Sequence, residues 1–182
     1  MELAAVILAG GTAARLDGAD KASLEHQGST FLERALAATA AAAEVVVVGE
    51  QVPTSRAVTF VREDPPLGGP VAGLVAGRRV LARTPDALLV LAVDMPFVTA
   101  ATVDRLLAAA AGHDGAALHD NDGRRQLVAV VRLAALDEAT PEQPHGSSVR
   151  SLLDRLDLAR VEAVGEEAWG VDTWRDLRDL PR

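Results

Sequence analysis

The sequence predicts a single three-layer α/β domain, with a mostly parallel central sheet and helices on both faces. Apolar runs of strand length recur at Leu3 to Ala9, Glu44 to Gly49, Val58 to Arg62, Ala87 to Val93, Gly115 to His119 and Leu127 to Arg132. Most are separated by segments long enough for a crossover helix, so the alternation reads as βαβ units. Val45-Val46-Val47-Val48 and Leu88-Leu89-Val90-Leu91 are apolar at consecutive positions. That pattern suits central parallel strands covered on both faces, not a half-exposed antiparallel strand. The length of 182 residues fits one domain, and such a domain can bury roughly 70% of the surface its unfolded chain exposes.

The helices follow from start signals between these runs. Thr30-Phe31-Leu32-Glu33 offers a capping box opening a helix that runs to about Ala43, with Thr30 and Glu33 satisfying each other's orphan backbone donors. Pro70 suits the first turn of a helix continuing toward Ala82, because its fixed φ is helical and its missing N–H is no loss there. Thr99 caps a helix from Ala100 to Ala111, and later helices cover Ser148 to Leu156 and Thr173 to Leu180. Asp120-Asn121-Asp122-Gly123 reads as a turn and Thr140 to Gly146 as a loop. No repeat, low-complexity tract beyond Ala enrichment, or linker divides residues 1–182.

Composition narrows the function. Hydrophobic residues are 49% of the chain but aromatics only 3%, much of the apolar content being Ala, which favours helices and close helix-to-sheet packing. A net charge of −8 repels polyanions, so nucleic acid is not an expected partner and a small anionic substrate must be held locally. With no Cys there is no disulfide, thiolate zinc site or cysteine nucleophile. No basic leader and no 18-residue apolar stretch is read, which predicts a soluble cytoplasmic protein with no membrane partner.

Three loops carry the chemistry. The first strand ends in Leu8-Ala9-Gly10-Gly11-Thr12-Ala13-Ala14-Arg15-Leu16, where paired glycines let backbone N–H groups converge on phosphate oxygens without Cβ obstruction. The pattern is neither a P-loop nor Gly-x-Gly-x-x-Gly. A glycine pair after a strand can equally be a tight turn. Arg15 and Lys21 favour the phosphate cradle, since they put two cations in one loop, where a negative transferring group would be neutralised. The second loop, Glu63-Asp64-Pro65-Pro66-Leu67-Gly68-Gly69-Pro70-Val71-Ala72-Gly73, leads into a helix N-terminus that favours an anion or a polar base edge. The third is Val93-Asp94-Met95-Pro96, which sets a carboxylate at the strand edge where open α/β sheets bind ligands. Asp94 suits a Mg²⁺ that keeps waters and bridges phosphates, or else caps the turn before Pro96.

The order LAGG-TAA-RL-DGADK, then ED with GGPVAGL, then AVDMP resembles the molybdenum cofactor guanylyltransferases, within the Rossmann-like nucleotidyltransferases. The resemblance runs on through GRRQLVAVVR, GSSVRSLLDRL and VDTWRDL, nearly the whole chain. It implies NTP phosphates on Leu8, Ala9, Gly10, Gly11 and Lys21, with Arg15 in the same loop. Asp64 and the segment Gly68, Gly69, Pro70 to Gly73 would meet base and ribose, and Asp94 would bind Mg²⁺, with Mn²⁺ as the alternative ion. Residues to about 98 would form the nucleotide and metal part. In the remainder, Gln126 with its strand and the loop of Gly146, Ser147, Ser148 and Arg150 would face a pterin acceptor. Two departures stand out. Where the family often ends Asn-x-Asn-Thr-Pro-Glu, this chain has Gly170-Val171-Asp172-Thr173-Trp174-Arg175, which makes Asp172 a candidate second metal ligand. The Pro often found beside Gln126 is absent.

The implied reaction is Mg²⁺-dependent transfer of GMP from GTP to the terminal phosphate of molybdopterin, releasing pyrophosphate, with Lys21, Arg15 and Asp94 as the catalytic set. The partners it implies are GTP, the acceptor and, transiently, a protein that receives or delivers the cofactor. Rival readings are cytidylyl transfer to molybdopterin, nucleotidyl transfer to a sugar phosphate or phospholactate, and a silent nucleotide-binding protein. His26, His113, His119 and His145 lack metal spacing and read as solvated or capping residues. Ser147 and Ser148 lack a nucleophile-elbow context, and Trp169 and Trp174 read as packing residues.

Overall fold

The structure is a computed structural model that describes residues 1–10, 20–62 and 68–181. Its centre is a sheet of seven strands: β1 (Leu3–Leu8), β4 (Glu44–Val48), β5 (Thr59–Val61), β6 (Ala87–Ala92), β7 (Gly115–His119), β8 (Arg125–Arg132) and β9 (Leu158–Glu162), in the order β5-β4-β1-β6-β8-β7-β9. β8 alone runs antiparallel to its two neighbours, β6 and β7, and all other pairings are parallel. The mostly parallel sheet is therefore as expected, and every strand but β8 ends at one edge.

Side chains alternate between two cores because strand side chains point to opposite faces. On one face Ala5, Ile7, Val45, Val47, Leu89 and Leu91 pack with α1 (Phe31–Ala38) and α3 (Ala100–Ala109). On the other, Ala4, Val6, Val46, Val48, Leu88 and Val90 pack with α2 (Pro70–Arg79), α4 (Leu133–Ala139) and α5 (Val149–Leu153). The consecutive apolar runs in β4 and β6 are buried throughout their apolar positions, as a two-faced sheet requires.

The helices are shorter than their sequence pattern. α1 stops at Ala38 instead of Ala43, because the Thr39 hydroxyl donates back to the Leu36 carbonyl at 2.9 Å and the Ala43 amide turns to the Leu3 carbonyl at 2.8 Å. Its capping box is half formed. Thr30 Oγ1 accepts the Glu33 amide at 3.1 Å, but the Glu33 carboxylate takes the Ser55 amide at 2.7 Å and the Ser55 hydroxyl. α2 ends at Arg79, not Ala82, whose amide is taken by the Glu44 carboxylate. α3 ends two residues early, α5 spans Val149–Leu153 and α6 spans Trp174–Arg178.

Among the described residues a short hairpin, a helix and an edge strand lie outside the sequence reading. Glu25–His26 (β2) and Ser29–Thr30 (β3) pair across a tight turn at Gln27 and Gly28, both at positive φ. α4 is short, with Leu133 and Leu136 inward. β9 escapes notice because an edge strand needs few apolar residues: only Val161 in it is buried.

Candidate active site

The ends of the central strands are stitched together. The Ala9 amide donates to the Val48 carbonyl at 2.9 Å, the Val93 amide to the Leu8 carbonyl at 3.1 Å and the Gly49 amide to the Val61 carbonyl at 2.9 Å. Leu8, Ala9, Gly10 and Asp94 therefore share one rim. A Cβ on Gly10 would lie 3.4 Å from the Val48 carbonyl, an ordinary contact. Gly11, Arg15 and Asp64 lie outside the described residues.

Beside this rim Asp20 accepts the Ala22 amide and caps a 3-10 turn at Lys21–Ser23. The turn aims Lys21 inward. Lys21 Nζ donates to Asp94 Oδ2 and to Asp172 Oδ1, both at 2.8 Å. Asp94 thus spends its carboxylate on the lysine and not on the turn before Pro96. Burial works to lower the Lys21 pKa, but the charges and hydrogen bonds of Asp94 and Asp172 outweigh it and hold it above the ordinary lysine value. Lys21 is charged at any working pH.

Asp172 arrives from the far end of the chain. Buried Val171 donates its amide to the Asp94 carbonyl at 3.0 Å, and the Asp172 amide donates to Asp176 Oδ2 at 3.0 Å. Two carboxylates on one cation are the hard oxygen donors that a Mg²⁺-type ion draws from protein, its other ligands being phosphates and water. Among the described residues no cluster holds three or more potential His, Cys, Asp or Glu ligands.

The loop before α2 meets the loop expected to face the acceptor. Gly69 sits at φ +89°, where a side chain would be strained, and among the described residues no side chain caps the helix it opens. The Gly146 amide donates to the Gly68 carbonyl at 2.9 Å, and the Ser147 carbonyl lies 3.7 Å from where a Gly69 Cβ would be. A Cβ on Gly68 would meet the His145 ring at 2.6 Å, so His145 packs against this junction. Gly73 lets α2 approach Val48, with 3.2 Å left for a Cβ.

The acceptor candidates separate into two roles. Gln126 and Arg150 line a small cavity of about 190 Å³ with Pro70, Arg125, Leu127, Val149 and Leu153. Ser148 instead caps α5, accepting the Ser151 amide at 3.1 Å. Gln126 Nε2 donates to Asp120 Oδ2 at 2.9 Å. Arg125, which sequence reasoning passed over, pairs with Asp154 at this cavity; the doublet Arg124-Arg125 was its only signal.

The remaining candidates keep modest roles. His113 pairs with Asp157 at 2.9 Å, and His119 Nδ1 lies 3.0 Å from the Ala117 carbonyl. His26 is half-buried, edge-on to Phe97 at 5.8 Å, so it is a packing residue and not a solvated or capping one. Trp169 packs on the core. Among the described residues no helix is long and apolar enough to cross a membrane.

Known proteins resemble this chain over nearly its whole length. The chain is 33% identical over 190 residues to the probable molybdenum cofactor guanylyltransferase of Opitutus terrae, covering 99% of this chain and 94% of that protein. Among solved structures it is similar to molybdopterin-guanine dinucleotide biosynthesis protein A of Archaeoglobus fulgidus, with TM-score 0.68, 21% identity and coverage of 96% and 95%. It is also similar to the Rv0371c protein of Mycobacterium tuberculosis in complex with manganese, with TM-score 0.72, 20% identity and coverage of 98% and 97%. Residues 5–161 match the MobA-like NTP transferase domain, and with a Rossmann-like sheet whose strand ends bring Lys21, Asp94 and Asp172 together, the chain belongs to that family of nucleotidyltransferases.

Proposed function

We propose that this protein transfers GMP from GTP to the terminal phosphate of a molybdopterin-type acceptor. The observation that carries the reading is Lys21 held between Asp94 and Asp172 at the strand ends. Residues to about 98 take the nucleotide and the remainder takes the acceptor, the two meeting where Gly146 bonds Gly68. Leu8, Ala9 and Gly10, with Gly11 and Arg15, receive the phosphates; Asp64 and the Gly68 to Gly73 segment receive base and ribose. Gln126, Arg150 and the Gly146 to Ser148 loop receive the acceptor.

An acceptor phosphate oxygen attacks the α-phosphorus of GTP, forming a new P–O bond as the bond to the bridging oxygen breaks and pyrophosphate leaves. The attacker is already ionised near neutral pH, so no protein base or nucleophile is required. Lys21 places positive charge where the transferring group is most negative, and the stitched rim supplies positioning. Asp94, with Asp172, would hold a Mg²⁺ or Mn²⁺ ion, which would contribute charge neutralisation at the phosphates; the manganese complex of the mycobacterial relative supports a divalent ion. The reading is of a cytoplasmic reaction, with transient contact to a protein that receives the finished cofactor.

Recognition of the guanine N1–H and amine falls to acceptors between Asp64 and Gly73. Cytosine and adenine would leave those acceptors unpaired, which is the source of selectivity in a hydrogen-bonding site. The test is kcat/KM for GTP, CTP and ATP with a molybdopterin acceptor and Mg²⁺. GTP is expected to lead by on the order of 10²; equal values, or CTP ahead, would refute guanylyl transfer and leave nucleotidyl transfer standing.

A further inference from the structure

One buried acid has no part in the transfer itself. Glu167, in the loop between β9 and α6, is only 8% exposed. Its Oε1 accepts the Thr102 hydroxyl at 2.6 Å and Arg105 at 3.0 Å; its Oε2 accepts Arg105 again and the Val164 amide at 2.8 Å. A buried carboxylate is tolerable when its oxygens are met by this many donors. Burial pushes its pKa up, but Arg105, Thr102 and the Val164 amide outweigh that and hold it below the ordinary glutamate value.

Both ends of this network lead to the site. Thr102 completes the capping box of α3, accepting the Thr99 amide at 3.0 Å while Thr99 Oγ1 accepts the Thr102 amide. Phe97, Val98 and Thr99 join the Asp94-Met95-Pro96 turn to that helix, and Met95, Val98 and Val103 are buried in the same core. In the other direction the chain passes Trp169, packed on that core, and Gly170, where a Cβ would lie 3.6 Å from Met95 Sδ, to Val171 and Asp172. Removing the network would leave the backbone bond from Val171 to Asp94 and the α6 cap to hold Asp172.

We propose that Glu167 is a positioning residue that ties the 164–172 segment to the first two turns of α3 and so holds the Asp172 carboxylate on Lys21 beside Asp94. Its consequence for turnover rests on the transfer reading above. An apolar residue could fill the same volume, but it would not set the segment against both the Thr102 hydroxyl and the Arg105 fork. Arg105 is the partner of choice because its planar fork meets both oxygens at once.

The experiment uses the full chain with Glu167→Gln and Arg105→Gln, the second serving if the first fails to fold. Hydrogen exchange at the Val171 amide is expected to quicken about tenfold in each, because its bond to Asp94 opens more often. With GTP and acceptor, kcat should fall about tenfold while KM for GTP stays within about twofold, since displaced groups cost the transition state more than the ground state. Glu167→Gln combined with Asp172→Asn should be no slower than Asp172→Asn alone, the non-additivity of two residues acting as one unit. Unchanged exchange and unchanged kcat in the folded variants, or a double variant slowed by the product of the single effects, overturns the proposal. If Asp94→Asn and Asp172→Asn both turn over like wild type, the transfer reading fails instead, and the exchange rates still decide the role of Glu167.

Discussion

On either side of the boundary between β6 and β8 the sheet builds the edge that carries the candidate site in opposite ways. In the parallel half, β5-β4-β1-β6, each strand runs to the edge and its loop follows it, so Ala9, Gly10 and Asp94 come directly after apolar runs. Across the boundary β8 is reversed, pairing Leu91 with Val128 and Leu88 with Val131. Its contribution therefore comes before the apolar run, at Arg125 and Gln126. β7 and β9 run parallel again and return the chain to the same edge, where the segment after β9 delivers Asp172 to Lys21. The first half builds its rim from local sequence order; the second builds it from topology.

The sharpest test of this division is at its seam. Asp94→Asn is expected to lower kcat by on the order of 10² or more, because a neutral amide is a poor replacement for a carboxylate that pairs with cations. Turnover assays with excess Mg²⁺ decide it, and wild-type rates would remove Asp94 from the site. Lys21→Ala should lower kcat by about 10² with a smaller effect on KM for GTP, as befits a cation aimed at charge that develops during transfer. A rise in KM alone would make Lys21 a binding residue only.

The two halves also differ in how firmly glycine is required. A Cβ on Gly115, at the start of β7, would meet the Val130 carbonyl at 2.1 Å and Val131 Cα at 2.9 Å, both backbone. A Cβ on Gly77 in α2 would meet side-chain carbons of Val6 at 2.7 Å and Val48 at 3.1 Å. Gly115→Ala should cost about 3 kcal/mol or more and Gly77→Ala about 1–2 kcal/mol, since side chains shift more readily than a strand backbone. Urea unfolding of both variants checks the order, and equal losses would mean the second half yields as easily as the first.

The smallest expected effect is one of pH. Glu167, contacted by the Arg105 guanidinium from α3, has a folded pKa below its unfolded one, so its contribution is present above the ordinary glutamate range and is lost as pH falls through the folded value. The Tm gap between wild type and Glu167→Gln should therefore narrow from pH 6 to about pH 3. A constant gap would show that the carboxylate's charge contributes nothing to holding the segment.

The sequence by itself determined the strands of the parallel half almost completely. Consecutive Val and Leu in β4 and β6 and the place of Asp94 after β6 are legible because burial on both faces and a loop at a strand end leave local signatures. It also determined that Lys21 and Asp172 were candidates, through the order of motifs. What only the tertiary structure decided is which groups meet: Lys21 with both aspartates, Gly68 with Gly146, and Glu167 with Thr102 and Arg105. Glu167 stands in Gly165-Glu166-Glu167, a triplet with no apolar side chain to mark it as buried, and β9 has charged residues at Arg160 and Glu162. Such pairings join residues far apart along the chain, and their free energy comes from desolvation and the geometry of the partner, neither of which is written at either position alone.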